Sequence, residues 1–295
     1  MSTKTAVAAV LLAIPVPILA QAPSYADILA RSPRTDWAPL DPENTLYMDI
    51  PQGRVIILLS PKYAPLHVAN IKKLAGVKYW DGAAIVRAQD NYVVQWQWPD
   101  GQGPKLAEAT TPMTPEFDRG LAPDLPFTAL TDPDSYAPEV GFSEGFPVAR
   151  NRRLGLTWMT HCYGMVGVGR ADSPQSGSGA ELYAVIGQAP RHLDRNVALV
   201  GRVVQGIELF SSLPRGTGNI GFYTEPAQRV PIRSIRLAAD VPPAERVPLE
   251  TLRTESATFQ SVIASRRSRR EAWFVEPTGH INVCNVPLPV RTVGR

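Results

Sequence analysis

Ile85-Val86-Arg87-Ala88-Gln89-Asp90-Asn91-Tyr92-Val93-Val94-Gln95 is the stretch on which the fold of this chain turns. Apolar and β-branched residues flank a polar Gln-Asp-Asn interval, a pattern that predicts two short strands joined by a turn near Asp90-Asn91. On adjacent antiparallel strands, Arg87 and Gln95 can face one groove, with Tyr92 close by. Arginine suits a site that needs a fixed cation, because it stays charged at any working pH and carries a rigid fork of donors. Taken alone, the triplet also fits a surface salt-bridge arginine, a core tyrosine and a polar strand residue.

Working outward, Leu46-Tyr47-Met48-Asp49-Ile50 and Arg54-Val55-Ile56-Ile57-Leu58-Leu59, joined at Pro51-Gln52-Gly53, read as a hairpin. Leu66 to Leu74 has helical apolar spacing, with Pro65 tolerated in the first turn and an end near Gly76. Downstream, the block Gly164 to Ala171 is followed by a Ser/Gly loop from Asp172 to Gly179 and a strand from Glu181 to Ile186.

This order, together with Arg87, Tyr92 and Gln95, resembles the cyclophilins over roughly Leu46 to Leu237. By that resemblance Gly164 to Ala171 is a substrate-cradling strand, His192 to Val203 a turn leading into a strand, Gln205 to Leu213 the second capping helix and Val230 to Leu237 the closing strand. The resemblance implies an all-β fold: an eight-stranded, closed, largely antiparallel barrel capped by two helices, which leaves no exposed edge strand. It also implies an enzyme that speeds rotation about Xaa-Pro bonds with no cofactor and no metal. By resemblance Arg87, Gln95 and Tyr92 are catalytic, and Val93, Gly169, Arg170, Glu181, Tyr183, His192, Leu193 and Val197 contact substrate. Proline-containing peptide segments are the implied partners.

The chain also departs from the family pattern. Val86 stands in place of histidine, Trp96-Gln97 in place of a glycine pair, and Gly169-Arg170 in place of Ala-Asn. Glu181 replaces glutamine, His192 replaces tryptophan, and Val197 replaces the histidine near the proline pocket. A carboxylate at position 181 could pair with Arg87 and hold it out of service. The alternative function is therefore a catalytically weak, cyclophilin-like peptide-binding or chaperone module.

Other motifs fail on inspection. Gly167-Val168-Gly169 lacks the third glycine and the strand-to-helix context of a dinucleotide site. Ser176 and Ser178 lack the elbow of a serine hydrolase. His67, His161, His192 and His280 show no metal-ligand spacing and read as structural, with His192 alone placed at the groove rim by the resemblance. A formal net charge of +3, from 30 basic and 27 acidic residues in 295, gives no electrostatic footprint for nucleic acid.

Residues 1–20 have the order of a signal peptide, with Lys4 followed by an apolar run from Ala6 to Ala20 that Pro15 and Pro17 interrupt. The run is shorter than the roughly 20 residues a membrane span needs. Cleavage after Ala20 would leave an exported, periplasmic, monomeric protein with no stable membrane span; an uncleaved anchor is the alternative. The mature chain then divides into an arm at 21–44, the cyclophilin-like domain at 45–237, and an extension with a short helix at 238–295. Residues 101–161 form a proline-rich insertion whose Phe117, Phe127, Tyr136, Phe142 and Phe146 favour packing on the barrel. Arg266, Arg267, Arg269 and Arg270 read as a solvated helix end or, alternatively, as a patch for an anionic lipid or partner. Cys162 and Cys284 either pair, as two cysteines in an oxidising compartment commonly do, or remain separately buried thiols.

Overall fold

The computed structural model describes residues 23–106, 109, 111–271 and 273–293, so the segment read as a signal peptide lies outside the described residues. Its largest element is an antiparallel sheet. In spatial order the strands are Val230–Pro231, Ala84–Ala88, Val93–Gln97, Leu182–Val185, Met165–Val168, Leu199–Gln205, Gly53–Leu59, Thr45–Ile50 and Ser234–Leu237. The nine strands close into eight staves, because the first and last belong to one chain segment. Val230 pairs with Ile85, Ile232 donates its N–H to the Ala83 carbonyl, and Ile235 pairs with Met48. A bend at Ile232-Arg233 carries this single stave from one neighbour to the other.

Side-chain alternation decides which face is which. Met48, Ile57, Val94, Trp96, Leu182, Ala184 and Val200 point inward and are buried together, while Val93, Gln95, Tyr183 and Val185 take the outer face. A one-residue slip would expose Val94 and Trp96, each worth about 1.5–3 kcal/mol on burial, so the core fixes the register. The helix Pro65–Gly76 covers one end of the barrel with Val68, Ile71 and Leu74. The second helix is shorter than the sequence predicts, Ile207–Ser211, and starts at Gly206 in a left-handed conformation (φ 87°).

The insertion is not a loop. It builds a second antiparallel sheet in the order Arg119–Gly120, Leu156–Met159, Phe146–Asn151, Glu139–Ser143, Thr128–Leu130. These strands are short and carry Pro147 and Gly141, residues that read as strand breakers. The central hairpin turns at Glu144-Gly145, where both residues have positive φ, the requirement of a tight primed turn. Phe142, Phe146, Val148 and Trp158 bury against Phe259, Val262 and Ile263 of the C-terminal helix Ala257–Arg267, with Phe142 and Phe259 edge to face at 4.9 Å. The aromatics of the insertion therefore divide: Phe142 and Phe146 enter this core, while Tyr136 is exposed.

Insertion, arm and tail form one body with the barrel. The arm strand Trp37–Pro39 pairs with Leu249–Leu252, which pairs in turn with Val290–Thr292. Glu116 of the insertion caps the Pro65–Gly76 helix, accepting the N–H groups of Leu66 and His67 at 2.9 Å each and meeting the His67 ring at 2.6 Å. That helix has no side-chain cap of its own. Cys162 and Cys284 are joined as a disulfide, tying the tail to the segment that leads into the barrel strand Met165–Val168. Half of the basic run is bonded within the chain: Arg267 pairs with Asp132 and Arg266 with Glu271. Among the described residues no helix is long and apolar enough to cross a membrane.

Candidate active site

The fixed register lines up one row of residues across the outer wall. Arg87 is the cross-strand partner of Gln95, Gln95 of Tyr183, and Tyr183 of Gly167, while Phe222 bridges to Arg87 from the other side. A bulge between Ile85 and Arg87 places the extra residue at Val86, and this is the device that aims the Arg87 side chain outward. The turn that follows has Asn91 at φ 49°, a conformation asparagine tolerates. Its side chain accepts the Gln188 N–H at 2.7 Å, pinning the hairpin to the neighbouring loop.

Three acceptors hold the Arg87 guanidinium. Its Nε donates to the Ile220 carbonyl at 2.7 Å, one terminal nitrogen to Gln95 Oε1 at 2.9 Å, and the other to Gln89 Oε1. The guanidinium carbon also lies 5.6 Å from the Tyr92 ring centre and 5.5 Å from that of Phe222. Five N–H groups less these three leaves two free for a ligand. Partial burial weakens the hold of Arg87 on its proton, an effect opposed by Tyr92 and Glu181.

Glu181 bonds Gln95 and forms no ion pair with Arg87. The Gln95 amide nitrogen donates to Glu181 Oε1 and, at 3.2 Å, to Gln97, which leaves the amide oxygen facing Arg87. Burial raises the Glu181 pKa, and the Arg87 charge partly offsets that rise.

Above this row opens a cleft of about 430 Å³. Of the residues the sequence assigns, Arg87, Tyr92, Val93, Gln95, Gly169, Arg170, Glu181, Tyr183, Leu193 and Val197 all line it. His192 does not; its ring stacks on Tyr92, with centres 6.4 Å apart and planes at 3°, and so buttresses the rim. The apolar floor comes from Val93, Tyr183, Val185, Tyr92 and Val197.

Two glycines exist to make this wall. A Cβ on Gly167 would lie 2.3 Å from the Tyr183 hydroxyl, and one on Gly169 would lie 2.2 Å from Glu181 Oε1. Gly167→Ala should therefore push the Tyr183 ring into the cleft, costing about 1–3 kcal/mol of stability as an overpacked site and lowering affinity for proline peptides more than any change at an exposed glycine. Thermal denaturation and peptide titration check this; unchanged peptide affinity would contradict it.

The sequence reading missed several contributors. Ile220 and Phe222 close the far side of the cleft from a loop with no periodic signal. Gln89 differs from any other turn glutamine only through its contact with Arg87. His161 reads as structural, yet its ring meets the Tyr183 hydroxyl at 2.8 Å, and Asp194 holds its other ring nitrogen at 3.0 Å.

Comparison with known proteins identifies the family of the domain that carries this cleft. Residues 45–237 match the family described as cyclophilin type peptidyl-prolyl cis-trans isomerase/CLD. Proteins named probable peptidyl-prolyl cis-trans isomerase from Brucella suis and Brucella abortus are each 25% identical over 178 residues, which is 60% of this chain and 74% of theirs. The crystal structure of cyclophilin AquaCyp293 from Hirschia baltica superposes with a TM-score of 0.70 at 23% identity, over 90% of this chain and 96% of that one. That likeness is one of fold, and at 90% of this chain it covers more than the family domain alone. With the family match covering well over half of its length, the chain belongs to the cyclophilin-type peptidyl-prolyl cis-trans isomerases.

Proposed function

We propose that this isomerase accelerates Xaa-Pro rotation in exported proteins, with Arg87 supplying electrostatic stabilisation of the twisted transition state. Resonance sets a barrier of about 18–20 kcal/mol to rotation, so the unaided step takes roughly 10–100 s. In the twisted state the prolyl nitrogen loses conjugation and gains lone-pair density. A guanidinium fixed beside it binds that state better than either planar ground state, without moving a proton. The observation that carries this reading is the clamping of Arg87 by Gln95, Gln89 and the Ile220 carbonyl, with two N–H groups left over in a cleft that has an apolar cluster at Val93, Tyr183, Tyr92 and Val197. Gln95, held by Glu181, positions Arg87 and can bond the substrate backbone. Tyr92, Tyr183, Val93, Leu193 and Val197 receive the proline ring, and the backbone at Gly169-Arg170 grips the flanking peptide.

Export to the periplasm is supported by the apolar N-terminal run and by the disulfide, which persists in oxidising compartments. A protease-coupled assay on a proline peptide tests the catalytic reading, with Arg87→Ala as the control for site-specific acceleration.

One observation favours a second reading, a peptide-binding module of low activity: the carboxylate of Glu181 sits one residue away from Arg87 through Gln95. The two readings diverge at Glu181→Gln. A glutamine oxygen can accept the same Gln95 N–H, so the catalytic reading expects kcat/KM within about threefold of wild type, a change smaller than one hydrogen bond is typically worth. A gain of tenfold or more would mean that the carboxylate restrains Arg87.

A further inference from the structure

The wall of the cleft is wired to the insertion. The Tyr183 hydroxyl lies 2.8 Å from His161 Nε2; His161 Nδ1 lies 3.0 Å from Asp194 Oδ1, which also accepts the His161 backbone N–H at 2.9 Å. Asp194 Oδ2 accepts from Arg191 Nε at 2.6 Å. The two terminal nitrogens of Arg191 then reach Asp134 at 2.9 and 3.1 Å. Asp134 belongs to the insertion and is anchored there by the backbone N–H groups of Tyr136 and Ala137. The side chains of His161, Arg191, Asp194 and Asp134 are 1%, 3%, 7% and 2% exposed, so water cannot substitute for any link.

The direction of each bond follows from the chemistry. Asp194 only accepts, so Nδ1 of His161 carries the proton. Burial disfavours imidazolium, which leaves Nε2 as an acceptor and makes the Tyr183 hydroxyl the donor. The hydroxyl is thereby turned away from the cleft and the ring is held flat against Gly167. A phenylalanine would fill the same apolar wall but could not be tethered in this way.

We infer that His161, the last residue of the insertion, and Asp194 are positioning residues for isomerisation, which set the ring of Tyr183 at the back of the proline pocket and, through Arg191, make the pocket's shape depend on Asp134 in the body of the insertion. The inference rests on the cleft being the isomerase site. It gives the insertion a part in catalysis beyond its own packing, since Asp134 acts on the pocket from the far end of a chain of four hydrogen-bonded links.

The test uses the full chain with Tyr183→Phe, His161→Gln, Asp134→Asn and the pairwise doubles, assayed for kcat and KM on a proline peptide alongside thermal denaturation. Tyr183→Phe should keep the fold and raise KM several-fold with a smaller change in kcat, because the ring remains but loses its tether. His161→Gln should do the same, and in the Tyr183→Phe background it should have no further effect on KM, whatever it does to the melting temperature. Independent, multiplying effects on KM, or singles within twofold of wild type, would overturn the inference. A second readout does not depend on activity: the ring nitrogens of His161 in ¹⁵N spectra should show a protonated Nδ1 and an unprotonated, hydrogen-bonded Nε2, with the ring remaining neutral at pH values where an ordinary imidazole is protonated. Protonation at Nε2 would also overturn it. If wild type itself shows no acceleration, the isomerase reading fails, while the nitrogen spectrum still reports on the tether.

Discussion

Replacing Arg87 with alanine should lower kcat/KM for a proline peptide by about a hundredfold or more, the scale lost when one preorganised donor is removed from a transition state. The expected size follows from the clamp. The protein holds the guanidinium in place with Gln95, Gln89 and the Ile220 carbonyl before substrate arrives, so little reorganisation is needed during rotation. Arg87→Lys should lose nearly as much, because an ammonium is a point donor and cannot span three acceptors while presenting a further N–H to the ligand. Stability should change little. Gln95 and Ile220 line the cleft and Gln89 is half-buried, so water can reach the acceptors freed by the substitution and the burial penalty is small. Kinetics and thermal melts of the two variants read this directly; a decline in activity that only tracks unfolding would count against the role given to Arg87.

Removal of the disulfide should have the largest effect on stability. Cys162 and Cys284 are 122 residues apart in sequence, and closing a loop of that length restricts the unfolded chain by about 4–5 kcal/mol in the chain-entropy account. What is tied matters as much as how much. The tail residues Ile281, Val283 and Val286 share a core with Phe142, Phe146 and Trp158, and Cys162 lies beside His161, the link that holds Tyr183. Cys162→Ala with Cys284→Ala, or reductant on wild type, should therefore shift the urea midpoint down by the equivalent of several kcal/mol. It should also raise KM for peptide before global unfolding. A shift worth less than about 1 kcal/mol would contradict the account.

The barrel was legible because its strands carry strong signals. The register of Arg87 against Gln95 follows from alternation of Val93, Val94 and Trp96 about a short polar turn, and ten of the eleven assigned site residues line the cleft. His192, set at the groove rim by the resemblance, stacks on Tyr92 and supports that rim from outside the lining. The insertion was not legible. Its strands are two to six residues long, interrupted by Pro147 and Gly141, and their apolar partners lie over a hundred residues away in the helix Ala257–Arg267. No local window contains that complementarity. His161 was overlooked for a similar reason, since its meaning depends on Asp194 and Tyr183, which only the fold brings to it.

Whether Xaa-Pro bonds rotate in the Arg87 cleft is read by NMR exchange spectroscopy on a proline peptide with a substoichiometric amount of this chain. Wild type should give cis–trans exchange cross-peaks and shifted amide resonances for Gln95, Gly169 and Tyr183 on peptide addition, and Arg87→Ala should give no exchange peaks. Exchange that is absent with wild type, or equally fast with Arg87→Ala, would contradict it.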